Sequence, residues 1–145
     1  MLLDKILDEW DVDCNIDRNH LDLESIKIPQ LTAKYLRYYS HEKLKLEQLE
    51  IDFKELKQQK LEFFTQGANS ETISKGWELP AKGVVLNKEA PNYLDADKEI
   101  KETILHIAYQ KEKVEAIKTI LTSVSNRSFQ IKNSIEFMRF HAGLS

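Results

Sequence analysis

DADKEIKETILHIAYQKEKVEAIKTILTSVSNRSFQIKNSIEFMRFHAG, Asp95 to Gly143, decides how this chain folds. It holds no proline, and no glycine before its last residue. Its apolar residues return every seven positions. One column reads Ile100, Ile107, Val114, Leu121, Ser128, Ile135; a second, three residues on, reads Thr103, Gln110, Ile117, Val124, Ile131, Met138. The heptads are clearest from Val114 to Met138 and predict one helix roughly 70 Å long. A stripe that long outruns a small domain's own core. Self-association through Val114, Ile117, Leu121, Val124, Ile131, Ile135 and Met138 is therefore expected. Asn92 or Asp95 is the expected cap, with Asp97 and Glu99 near the positive end. Arg139, His141 and then Gly143 form a stop signal.

Working back towards the N-terminus, residues 66–93 break the pattern. QGANSETISKGWELPAKGVVLNKEAPNY holds three of the four glycines and two of the three prolines. It reads as a mostly irregular connector in which Lys82 to Leu86 could form a short β segment, although no hairpin dipeptide accompanies it. Before it lies a second run free of glycine and proline, Gln30 to Thr65, opened by Pro29. Tyr35, Tyr39, Glu42, Leu46, Leu49, Phe53, Leu56, Lys60 and Phe63 alternate in spacings of four and three. That is a helix with a narrow seam, interrupted by Glu42 and Lys60, and Gly67 suits its end. Residues 1–29 read as an irregular acidic arm in which Leu2, Leu3, Ile6, Leu7 and Trp10 could line a short helix. Either the arm is a docking site or mimic of an acidic polymer, or it is a solvated leader whose few apolar residues pack on the long helices. The second reading is favoured.

The expected fold is thus mainly all-α: an arm (1–29), a first long helix (30–65), a connector (66–93) and a C-terminal oligomerisation helix (94–145). Composition agrees, with 41% apolar and 31% charged residues in a single-domain length of 145. The one cysteine, Cys14, excludes an internal disulfide and a cysteine zinc site. The acidic opening does not suit a signal peptide, and no apolar run suits a bilayer span, so a soluble intracellular protein is expected. The net charge of −3 conceals a split. Residues 1–25 carry eight acids against Lys5 and Arg18, whereas the remainder carries nineteen bases against sixteen acids. Local patches, not totals, govern phosphate binding.

Several chemistries are missing. There is no G-x-x-x-x-G-K-[ST] phosphate loop, no paired-histidine metal spacing among His20, His41, His106 and His141, and no nucleophile motif. Neither an enzyme nor a cofactor is expected. Two constellations remain. KELKQQKLEFF sets Lys54, Lys57 and Lys60 three apart, with Phe63 and Phe64 just beyond; Lys34 and Arg37 lie upstream among tyrosines. Cations interleaved with rings suit sequence-tolerant single-strand binding, but the same residues can simply be seam and paired surface. In NRSFQIKNSIEFMRF, Arg127, Lys132 and Arg139 flank the seam and suit interhelical ion pairs or, alternatively, a polyanion. Spacing alone favours the structural role in both.

The segment from Tyr93 to Gly143, most specifically NRSFQIKNSIEFMRF, resembles the C-terminal half of UvsY-type recombination mediators of T-even-like bacteriophages. AKYLRYY through LKQQKLEFFTQG resembles the other half more loosely. The resemblance implies single-stranded DNA binding and a closed ring of seven subunits joined through the C-terminal helix. It implies partners too: a RecA-type phage recombinase and the single-strand-binding protein it must displace, in the cytoplasm of an infected bacterium. No ATP hydrolysis belongs to such a mediator. The family's strand-binding motif, two bases one residue apart, a tyrosine pair and a glycine, falls on Gln58, Lys60, Phe63-Phe64 and Gly67, with Gln66 intervening and Lys57 beside the missing first base. A helical-hairpin chaperone or coiled-coil scaffold gripping a protein client is the alternative.

Overall fold

The computed structural model describes residues 1–143. It is all-α: α1 (Leu3–Asp13), α2 (Leu21–Ile26), α3 (Ile28–Gln66), α4 (Ser70–Ser74), α5 (Ala90–Ala96) and α6 (Lys98–His141). The described residues form two compact units, residues 1–44 with 111–143, and residues 45–110. No helix among the described residues is long and apolar enough to cross a membrane.

In the first unit the core is Ile6, Tyr35, Ile117, Ile120 and Val124, with Trp10, Leu31, Tyr38, Tyr39 and Leu121 packed around it. This corrects two expectations. The arm is not mainly irregular, although its short helix and the packing of its few apolar residues on the long helices are as the favoured reading has them: α1 buries Ile6 completely and sets Trp10 edge-on to Tyr35, with centroids 5.5 Å apart. Nor is the heptad seam held in reserve for other copies. Val114, Ile117, Val124 and Ile131 are buried within the subunit, and Leu121 is half-buried. The inward face of α6 is wider than two heptad columns, because Lys113, Ile120 and Arg127 are buried as well. Of the residues expected to join copies, Ile135 and Met138, at 41% and 42% exposure, are the ones that stay in solvent. Glu42, the polar interruption in the α3 seam, meets Lys113 at 3.2 Å and the N-terminal amine at 3.7 Å, so the mid-seam charge is neutralised in place. Pro29 sits in the first turn of α3, where a missing N–H leaves no intrahelical bond unmade.

The second unit is built on Phe63, Phe64, Val85, Ala90 and Leu94, flanked by Leu61, Trp77, Leu79 and Tyr93. Gly67 ends α3 with φ 97°, a left-handed conformation that side chains resist. In α4, the Asn69 side chain accepts from Thr72 N–H at 2.9 Å while the Thr72 hydroxyl accepts from Asn69 N–H at 2.8 Å. Lys82 to Leu86 is not a strand. Its Val85 N–H donates to the Phe64 carbonyl at 2.9 Å, closing the exposed end of α3 instead of joining a ladder. The cap of α6 is Asp97, whose carboxylate accepts from Ile100 N–H at 3.0 Å; Asn92 and Asp95 belong to α5.

Candidate nucleic-acid interface

The basic and aromatic stripe on α3 turns inward at its C-terminal end. Lys60 is 5% exposed, with its ammonium 3.2 Å from both Asp97 and Glu99 and 4.1 Å from the centre of the Trp77 ring. Phe63 and Phe64 are core residues at 2% and 6% exposure. Phe63 packs on Trp77 at 5.5 Å and Phe64 on Tyr93 at 6.0 Å, leaving neither face open for a base. The expected trio of cation and rings is therefore the hydrophobic anchor of the second unit. Lys54 and Lys57 do remain exposed, the latter 5.8 Å from the Phe53 ring.

In the first unit the acidic arm neutralises two more candidates. Asp13 accepts hydrogen bonds from Lys34 at 2.6 Å and from the Tyr35 hydroxyl at 2.8 Å, and Glu9 accepts from Tyr38 at 2.8 Å. Burial works against ionised Asp13, but hydrogen bonds from Lys34 and Tyr35 outweigh it and hold the carboxyl below its usual range. Burial and the bond to Asp13 both push the Tyr35 phenol well above its ordinary value. Arg127 is 3% exposed and ties the arm down. Its guanidinium donates to Glu24 at 2.6 Å and to the carbonyls of Asp13 and Asn15 at 2.8 and 2.9 Å. Lys27 joins Glu24 at 2.9 Å, and this bond, ahead of the opposing effect of burial, lowers the Glu24 pKa. The arm does imitate a polyanion in one sense: its carboxylates fill the positions that phosphates would need on Lys34 and Arg127.

Arg37, Lys132 and Arg139 remain exposed from the predicted set. Two features escaped the sequence reading. Lys118 is exposed in the same heptad column as Lys132 and Arg139, and the rings of Phe129 and Phe140 are open at 65% and 79%. Spacing in multiples of seven among Lys111, Lys118, Lys132 and Arg139 was the available signal. Among the described residues no group of histidine, cysteine and carboxylates could hold a metal ion.

Comparison with known proteins places this arrangement. The model of a family described as "Recombination, repair and ssDNA binding protein UvsY" matches residues 9–144. The chain belongs to the UvsY family. Crystal structures of the bacteriophage T4 recombination mediator protein UvsY share its fold. Lattice Type II superposes with a TM-score of 0.82 at 21% identity, covering 98% of each chain. Lattice Type I gives 0.80 at 20% identity over 94% of this chain and 98% of that one, and Lattice Type IV 0.77 at 20% over 97% and 99%. No curated protein sequence matches the chain. Membership in the UvsY family makes this a recombination, repair and single-stranded-DNA binding protein. The buried Lys60, Phe63 and Phe64 then raise the question of which surface meets the strand.

Proposed function

We propose that this chain is a recombination mediator: it binds single-stranded DNA and helps a RecA-type recombinase load where a single-strand-binding protein already sits. The UvsY match over residues 9–144 carries this reading, supported by the likeness to the T4 recombination mediator. The protein catalyses no reaction itself, in keeping with a sequence that has no phosphate loop or nucleophile motif. It works in the cytoplasm of an infected bacterium.

Assembly is part of the proposal. Ile135 and Met138, with Phe137 at 64% exposure, give the end of α6 an apolar surface that the subunit leaves uncovered. A ring of about seven copies closing there would repeat each weak cationic patch around one particle, and avidity would supply what a protomer lacks. Binding would be indifferent to sequence and salt-sensitive, because counterion release drives it. Fluorescence anisotropy with labelled oligo-dT at two salt concentrations tests this, together with particle mass by light scattering. Salt-dependent binding by an assembled particle supports the proposal; an assembled particle that ignores oligo-dT in dilute buffer contradicts it and returns the scaffold reading.

A further inference from the structure

Beside the end of α3 the second unit keeps open a cleft of about 450 Å³, a size common among small-ligand sites. Lys54, Gln58, Leu61 and Thr65 follow one another at spacings of four, three and four, so they share one face of the helix. At about 100° per residue, Phe63 points the opposite way, into the core. Gln58, Leu61 and Thr65 form the near wall of the cleft, and Asn87, Pro91 and Leu94 form the far one. The far wall is held in place. Val85 N–H donates to the Phe64 carbonyl at 2.9 Å, Ala90 N–H donates to the Leu86 carbonyl at 3.1 Å, and Leu94 belongs to the core.

We infer that this cleft takes an unpaired nucleobase of the bound strand, with the flanking phosphates on Lys54, Lys57 and Lys88. The inference rests on the family reading and names a site within it, one wall of which comes from the connector. Surface chemistry is the first argument. Leu61, Pro91 and Leu94 suit the faces of a flat ring, while the amides of Gln58 and Asn87 can each donate and accept along its edge. The Thr65 hydroxyl gives its proton to the Leu61 carbonyl at 2.7 Å and is left as an acceptor. Glu62 also lines the cleft and accepts from Gln58 at 3.3 Å. A carboxylate repels phosphate but accepts from the N–H that every DNA base carries, so the cleft suits the base and leaves phosphates to its rim. Charge is the second argument. Lys54 lies one turn before Gln58, Lys57 directly before it, and Lys88 follows Asn87, all three exposed. Among the described residues none of these three has a carboxylate partner, whereas Lys60, Lys75 and Lys82 each have one.

Anisotropy titrations of the full chain across a salt series test the assignment, with light scattering on the same samples. Two labelled strands of equal length are compared, oligo-dT and an abasic deoxyribose–phosphate strand. Wild-type protein should prefer oligo-dT. Gln58→Ala/Asn87→Ala removes the edge contacts and should weaken oligo-dT binding about tenfold, leaving abasic binding and the salt slope unchanged. Lys54→Gln/Lys57→Gln/Lys88→Gln should flatten the log–log slope for both strands by about 2, at about 0.7 per contact, and keep the preference. All five side chains are exposed, so both variants should fold. The inference is overturned if wild type binds the two strands alike, or if the alanine variant retains the full preference for oligo-dT. It is equally overturned if the alanine variant changes the particle mass, which would make the cleft a contact between copies. Wild-type protein that binds neither strand in dilute buffer would instead remove the family reading, so the two failures are distinguishable.

Discussion

α3 and α6 carry the same kind of sequence, lysines and arginines interleaved with rings on a long helix, and the two meet opposite fates. Around Lys60 the connector and the start of α6 bring Trp77, Asp97 and Glu99, and the motif closes on itself. Among the described residues Lys132 and Arg139 stay exposed to solvent. What separates them is the supply of acids and apolar partners from elsewhere in the chain. A basic stripe is a binding surface only where the fold has not already provided its counterions.

The largest effects should come from residues the fold has consumed. Arg127→Ala leaves the buried Glu24 carboxylate with Lys27 as its remaining charged partner and takes a donor from the carbonyls of Asp13 and Asn15, and about 3 kcal/mol of stability should be lost in urea denaturation. Phe64→Ala should cost a similar amount, about 3–5 kcal/mol, by opening a cavity in the second unit. If either variant were as stable as wild type and defective only in strand binding, the contrast between the two helices would collapse.

Much of this contrast was beyond local reading. The two long helices were legible because their seams repeat without glycine or proline. The arm was legible only in part: Ile6 and Trp10 marked its short helix and its packing, but not its polar anchor, because Arg127 lies 103 positions from Glu24 in sequence. Lys60 was misplaced for the same reason, its partner Asp97 being 37 positions away. The seam of α6 was assigned to other copies because two heptad columns describe a narrow face. Burial of Ile120 and Arg127 shows a broader one, which packs on α1 and the start of α3. Lys82 to Leu86 suggested a strand, yet among the described residues there is no strand to pair with it.

Smaller effects sharpen the comparison. Lys60→Met should cost about 1–3 kcal/mol, since Asp97 loses its charged partner but keeps the Ile100 N–H, and salt-dependent binding should not change. Acid should act on the arm. The carboxyls of Glu24 and Asp13 lie below their usual values of 4.5 and 3.8, so their stabilisation is complete above those values and lost as pH falls through the lower folded ones. Melting temperature should therefore drop as pH falls below 4.5, and less steeply in Glu24→Gln; parallel profiles would mean the buried pair contributes nothing. Ile135→Asp should leave subunit stability within about 0.5 kcal/mol of wild type, being exposed, while reducing particle mass. Lys132→Ala should be the mildest of all in stability, within about 0.5 kcal/mol.

Lysine acylation read by mass spectrometry, with and without oligo-dT, puts the two helices side by side in one sample. The account predicts that Lys60 stays unmodified in both states, whereas the exposed Lys118 and Lys132 react in the free protein. Modification of Lys60 in the free protein that oligo-dT suppresses would contradict the account, because it would show Lys60 open to the strand and not committed to Asp97 and Glu99.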